Sequence, residues 1–414
     1  MAFSLIQILG LLLCFNARAI AQEDKFRLIP GLDTMLKETY TPESMLRGIP
    51  FDIQDTTMQP WEELLNVTHS PNREPLSCSS SGSPKFWYEE IEHNGESSFL
   101  APEHKKSYKV FRNVVVDHHA DNTGKSDASE ALQNAIKAGS SGGPARDAHK
   151  MGTTGQPAIV YLPGGTYLLK NALQLYVGTV LVGDPTNPPV LKAAPGFSGD
   201  HMIYAKDPNY GGTINFYISI KNIVLDSTGL DPATTITLLD WTVSQATQLA
   251  NVQFNMPPNP TSHIGLSTQY DYNSNIIVND LRFNGGNVGM KLNGQQWVFK
   301  NIVFSGTKTG VIAGGTDIVF LGCQFNNGHT GIDATGTSGS LTVVDSSASG
   351  LEHFVIAGES NGAGNSVILE NVQNSGATVT VDGKPLVSGS IENTWVRGHL
   401  VRYSLFWIWR MMPG

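Results

Sequence analysis

Among the 36 acidic residues of this 414-residue chain, Asp226, Asp240, Asp271 and Glu352 lie where loops could bring carboxyl groups together. Two carboxyls ~6.5–9.5 Å apart, or about 5 Å apart, are the apparatus of glycosidic-bond hydrolysis with inversion or retention. Other chemistries lack their parts. Uronan hydrolysis of the polygalacturonase kind needs Asn-Thr-Asp, Asp-Asp, Gly-His-Gly and Arg-x-Lys, and only the partial match Gly328-His329-Thr330 occurs. Elimination needs an arginine base beside a carboxylate cluster, and Arg282, the one arginine between Gly155 and Thr394, is isolated. The adjacent pair His118–His119 has no metal-ligand spacing, so neither metal nor cofactor is expected.

The elements that must position these groups come from a repeat. Phe283, Phe304 and Phe325 are spaced by 21, as are Gly289, Gly310 and Gly331, then Gly294, Gly315 and Gly336, and then Phe299, Phe320 and Leu341. A fixed period of this length marks a solenoid of short strands, each coil burying its apolar face on the next. The fold class expected is all-β: a single-stranded right-handed parallel β-helix with three sheets and about 21 residues per coil. The recurring glycines mark positive φ or close backbone approach. Neighbouring coils stand roughly 4.8 Å apart, so one column could hold a hydrolytic pair. In the well-phased coils none does: Asp333 stacks with Ile312 and Lys291, and Asp317 with Gln296 and Ser338.

The step Asn222-Ile-Val-Leu225 returns at Asn251, Asp280, Asn301 and Gly322, first at intervals of 29 and then of 21. Early coils therefore carry insertions, and binding loops collect on such a face. Before the coils, Asp127 and Glu130 read as a capping box for a short helix with Ala131, Leu132, Ala135 and Ile136 on its apolar face. That helix covers the open edge of the solenoid.

Leu5–Phe15 followed by Ala19-Ile20-Ala21 reads as a secretory leader, residues 1–21, so the chain is expected to be secreted. Residues 22–106 read as an irregular arm anchored by Trp61, Trp87 and Tyr88, residues 107–394 as the β-helix, and 395–414 as an atypical tail where the reading frame is expected to depart. Asn66-Val67-Thr68 is a glycosylation sequon. Cys78 and Cys323 either pair or leave Cys323 as a buried thiol. The net charge of -9 argues against nucleic acid and anionic membrane as partners. Between Gly155 and Thr394 there are nine Lys and Arg, one of them Arg, against sixteen Asp and Glu. Polyuronates call for arginine, so a neutral polysaccharide suits this surface better. A monomer is expected.

Five strings stand out within a span from Lys85 to Arg397: Pro157–Tyr167, Gly183–Pro189 with Lys192-Ala193, Val243–Ala246 leading to Asn251-Val252, Asn293–Gln296, and Phe86–Glu89. Together they resemble the fungal family-55 glycoside hydrolases, the β-1,3-glucanases. The resemblance implies two tandem β-helices with the glucan cleft between them, exo-action with inversion, and a general-acid Glu in the second. This chain matches the first half, so its catalytic residues are not assigned. By the same resemblance Gln245 and Gln296, with Gln295 and Ser244, are expected at the substrate, amides being able to donate and accept to sugar hydroxyls. His263 lies near a loop where the family also has His. Trp241 has two readings, stacking on a sugar ring or filling the core. Tyr270-Asp271-Tyr272 reads as a sugar-binding loop or a bare loop tip. The family's Gly-Asp-Gly turn is altered here to Asp121–Asp127. The function implied is the first half of a β-1,3-glucanase; the alternative is a glucan-binding or structural β-helix without catalysis.

Overall fold

The computed structural model describes residues 86–93, 102–148, 156–268, 273–358 and 366–398, all within one compact unit, Ser83–Gly414. The leader, Trp61, Asn66, Cys78, most of the arm, Asp271 with its neighbours Tyr270 and Tyr272, and the tail from 399 lie outside the described residues.

The chain is a right-handed parallel β-helix whose strands pair in three ladders. Inward positions stack in columns because register repeats from coil to coil and alternate residues of a strand share a face. In the first ladder the column runs Leu249, Val278, Phe299, Phe320, Val343. In the second it runs Leu225, Phe254, Phe283, Phe304, Phe325. In the third it runs Leu239, Leu266, Met290, Val311, Ile332. All of these residues are buried. The second column is a stack of rings with centroids 4.5, 5.0 and 5.0 Å apart between Phe254 and Phe325. Each buried ring contributes on the order of 2–3 kcal/mol of apolar burial, so this stack is the spine of the core.

Glycine makes room for it. A Cβ on Gly289 would stand 2.6 Å from both the Phe304 ring and the Gly310 carbonyl. Close approach rather than positive φ is therefore what the 21-spaced column of Gly289, Gly310 and Gly331 supplies. The corner between the first and second ladders works differently. Asn222, Asn251, Asp280, Asn301, Gly322, Asp345 and Asn371 all take left-handed backbone there, and these residue types tolerate it best. Their side chains bond up the stack: Asn251 Nδ2 donates to Asn222 at 3.0 Å, Asn301 to Asp280 at 2.6 Å, and Asn371 to Asp345 at 2.7 Å.

The period slips after Thr330. Phe320 pairs with Val343 and Leu341 with Ile318, a step of 23. Gly336 faces Gly314 across an irregular register, not Gly315, and Asp317 meets Ser340, whose Oγ donates to it at 3.0 Å, instead of Ser338. One extra residue enters between Asp333 and Gly336, where the step becomes 22, and a second between Thr337 and Leu341, where it becomes 23.

At the N-terminal end the helix Ser129–Lys137 buries Leu132, Ala135 and Ile136. Asp127 accepts from the Ser129 amide at 3.0 Å and from its hydroxyl at 2.6 Å, so the cap is made to Ser129 rather than closed by Glu130. Arg146, 1% exposed, ties the helix to the coils: Nη1 donates to the Ile136 carbonyl and the Thr179 hydroxyl, Nε to Gln156 O and Nη2 to Val177 O. The end of the arm docks nearby through His93, stacked at 3.5 Å on Phe111. Tyr88 packs edge-on against Phe111, whereas Trp87 is exposed. At the other end Lys384–Ser388 pairs antiparallel with Thr378–Val381, and Ile391–Arg397 antiparallel with Ser366–Asn374. Cys323 is a free, buried thiol, pushed up to about 11 by burial. Among the described residues no helix is long and apolar enough to cross a membrane.

Candidate functional site

The corner from the third ladder into the first gathers most of the exposed residues expected at a site. Ile236–Asp240 ends there. Asp240 then accepts from the Thr242 amide at 3.0 Å and its hydroxyl at 2.5 Å, which turns the chain. The Ser244 amide donates to Asn215 O at 3.1 Å, and the Ser244 hydroxyl donates to the Gln245 Oε1. Gln245 is exposed at the tip. With its oxygen engaged inward, its amide nitrogen turns two donors outward.

Gln295 and Gln296 are also exposed. Carrying the pairing Leu249–Val278–Phe299 back along each strand puts Gln296 two coils from Ala246, and Gln295 two coils from Gln245. That is a separation of roughly 10 Å. Tyr217, Ala246, Gln296 and Asp317 all have left-handed backbone at this corner. The Asn-rich corner chooses residues that accept such φ values; this one holds Tyr, Ala and Gln against that preference, at roughly 1–2 kcal/mol each. Strain of this kind concentrates at functional sites.

Three expected site residues are buried. Trp241 is fully buried, so its ring fills the core and offers no face to a sugar. Ser244 is likewise buried and serves to orient Gln245. His263 is buried at the far end of the third-ladder strands. Its Nδ1 faces the Ser227 hydroxyl at 2.8 Å and its Nε2 the Asp231 carbonyl at 3.1 Å. With both ring nitrogens engaged inside and burial lowering its pKa, it is a structural histidine.

The outer face of the third ladder adds a network that the sequence reading did not weigh. Asp200 accepts from the Tyr204 hydroxyl and bonds His201 Nδ1 at 3.0 Å, and the Tyr204 bond, then His201, hold its carboxyl below the ordinary range. Tyr204 pairs with Asp240 on the next coil. Burial pushes the Asp240 carboxyl up, against the pull of Thr242. The two carboxyls are thus shifted in opposite directions, Asp200 exposed and bonded to Tyr204, Asp240 buried and bonded to Thr242. The signal was hidden because Val190–Tyr204 is a long strand outside the 21-residue phase.

Asp240 gives a pH prediction. Its folded pKa lies above the unfolded value, so the folded chain holds that proton more tightly. Stability from it is present below the unfolded pKa and is lost as pH rises through the folded one. Asp240→Asn, neutral at every pH and still an acceptor for Thr242, should raise Tm by a few degrees at about pH 7 and by almost nothing near pH 4. Thermal melts across that range test it; a gain that grows on acidification would contradict the burial argument.

Fold and site define a single-stranded parallel β-helix with a polar, amide-bearing corner. The family described as Rhamnogalacturonase A/epimerase, pectate lyase-like, matches residues 111–333, and the chain belongs to it. It is 32% identical over 337 residues to a probable glucan endo-1,3-beta-glucosidase of Arthroderma benhamiae, covering 76% of this chain and 37% of that protein. It is 31% identical over 246 residues to a glucan 1,3-beta-glucosidase of Cochliobolus carbonum, covering 57% and 30%. It is 38% identical over 169 residues to a glucan endo-1,3-beta-glucosidase of Trichoderma harzianum, covering 40% and 20%. The chain spans little more than a third of the length of these curated relatives, or less. Their names agree with the resemblance read from the sequence.

Proposed function

We propose that this chain forms one wall of a secreted protein that processes β-1,3-glucan, with Gln245 and Gln296 holding the sugar. The reading is carried by 31–38% identity to three proteins named as glucan 1,3-beta-glucosidases or endo-1,3-beta-glucosidases, and both glutamines are exposed at one corner of the coils. Outward amide donors at Gln245 and the donor–acceptor pair of Gln296, two coils away, match hydroxyl groups repeated along a neutral polymer. Secretion rests on the apolar run Leu5–Phe15 and the Ala19-Ile20-Ala21 site.

A binding wall without hydrolysis of its own is the second reading. It is favoured by Asp240 being only 3% exposed beside a corner made of amides, Ala246 and Asp317.

The purified chain should be retained by β-1,3-glucan and not by β-1,4-glucan, and should release no glucose from laminarin alone. Glucose release abolished in Gln245→Ala would put a complete active site in these coils. A folded chain that passes through a β-1,3-glucan column unretarded would overturn the proposal. Recovery from culture medium with Gln22 as first residue tests the leader.

A further inference from the structure

His329 and the pair Glu352-His353 occupy the turns that enter the third ladder on successive coils, where Thr330 pairs with His353 and His353 with Thr378. The backbone draws these turns together, since the amides of both Glu352 and His353 donate to the His329 carbonyl, at 3.1 and 3.0 Å. This corner precedes the third-ladder strands, whereas the glutamine corner follows them.

We propose that His329 Nε2, His353 Nε2 and the Glu352 carboxylate bind a divalent transition metal, with zinc the best fit. One ligand atom from each residue lies within 4.8 Å of the others. The Glu352 oxygens stand 3.0 Å from His329 Nε2 and 3.4 Å from His353 Nε2. The first distance runs to Oε2 and the second to Oε1, so each imidazole faces its own carboxylate oxygen at close to the roughly 3.3 Å that separates ligands on zinc with bonds of ~2.0–2.1 Å.

The contacts of the two rings point the same way. The Thr378 hydroxyl donates to the Glu352 carbonyl at 3.2 Å. The same hydroxyl stands 2.8 Å from His353 Nδ1. That contact fixes the His353 ring with Nε2 facing the carboxylate. His329 Nδ1 likewise meets the Thr330 hydroxyl at 2.9 Å. A hydroxyl holding the distal nitrogen is the second shell that orients a metal-binding imidazole. The two imidazole rings stand with centroids 5.5 Å apart, the Glu352 carboxylate in reach of both. A single dication would meet one ligand atom of each residue at once.

Two imidazoles and one carboxylate favour zinc, copper or nickel over magnesium or calcium. His329 and Glu352 are 51% and 65% exposed, which leaves an entry path and room for water as a fourth ligand. A bound ion would pin together turns of successive coils just after the 21-residue period is lost. Its effect is therefore a staple on the C-terminal third of the solenoid.

Isothermal titration of the chelator-treated full chain with zinc chloride tests the proposal. The expected result is one equivalent bound, no heat with magnesium, and a Tm raised by at least about 3 °C in saturating zinc. The cobalt-loaded chain should show the visible absorption of a four-coordinate site. Glu352→Gln and His353→Ala should abolish both signals. Thr378→Val, which touches no metal, should weaken zinc about tenfold through the freed ring of His353, with the fold unchanged by circular dichroism. No zinc heat would overturn the site in favour of a proton-filled His–Glu–His cluster. Undiminished zinc binding by a His329→Ala/His353→Ala variant would overturn it by placing the ion elsewhere.

Discussion

Arg146→Met will destabilise the chain by about 4 kcal/mol and lower Tm by roughly 10 °C. The guanidinium is buried, and its hydrogen bonds go to three carbonyls and one hydroxyl on the capping helix, the strand entry at Gln156 and the turn Val177–Thr179. Burial pulls its pKa down to about 10, yet it stays charged at neutral pH. Methionine fills the stem volume but strands four acceptors out of reach of water, each costing on the order of 1 kcal/mol or more. Lysine should rescue little, because one ammonium cannot span partners that a planar fork reaches from three nitrogens. Far-UV melts of the two variants decide this. An unchanged Tm would mean that Leu132, Ala135 and Ile136 alone hold the helix in place.

The double variant Gln245→Ala/Gln296→Ala will weaken binding to β-1,3-glucan about a hundredfold. Each lost amide contributes roughly 1.4 kcal/mol, typical of a hydrogen bond left unpaired in a wet site. Gln296→Asn separates function from stability. Asparagine suits the left-handed backbone at 296 better, so Tm should rise, by up to about 1 kcal/mol in stability. The shorter side chain withdraws the amide, so affinity should fall about tenfold. Retardation in laminarin-containing gels reads both effects. Undiminished affinity in the folded double variant would remove this corner from the glucan wall.

What the sequence made legible followed from strict repetition. The Phe283–Phe304–Phe325 stack, the Gly289–Gly310–Gly331 column and the Asn222-type corner could be aligned by counting, because their register is carried by identical residue types. Counting failed at Leu341 because two inserted residues shift the phase without changing the apolar pattern. Arg146 was invisible for another reason: a lone arginine in a glycine-rich loop carries no period, and its partners are backbone carbonyls that no side chain announces. The site was legible in part. Gln245 and Gln296 fall on one corner, but Trp241 and His263 sit at buried positions that composition cannot tell from exposed ones. Asp200 and Tyr204 were missed because their strand is long, and His329 meets Glu352 only across the shifted coil.

The reversed strands at the C-terminal end set a limit on growth. A stack of parallel coils is a template that a second molecule could extend coil upon coil, as fibrils do. Here Thr378–Val381 and Ser366–Asn374 are overlaid by Lys384–Ser388 and Ile391–Arg397 running the opposite way. The covering strands present Lys384, Pro385, Glu392 and Arg397 outward, and charge and proline on an outer strand discourage further pairing. An incoming first coil would meet strands of the wrong polarity, on which these polar residues alternate with the exposed Leu386 and Val396.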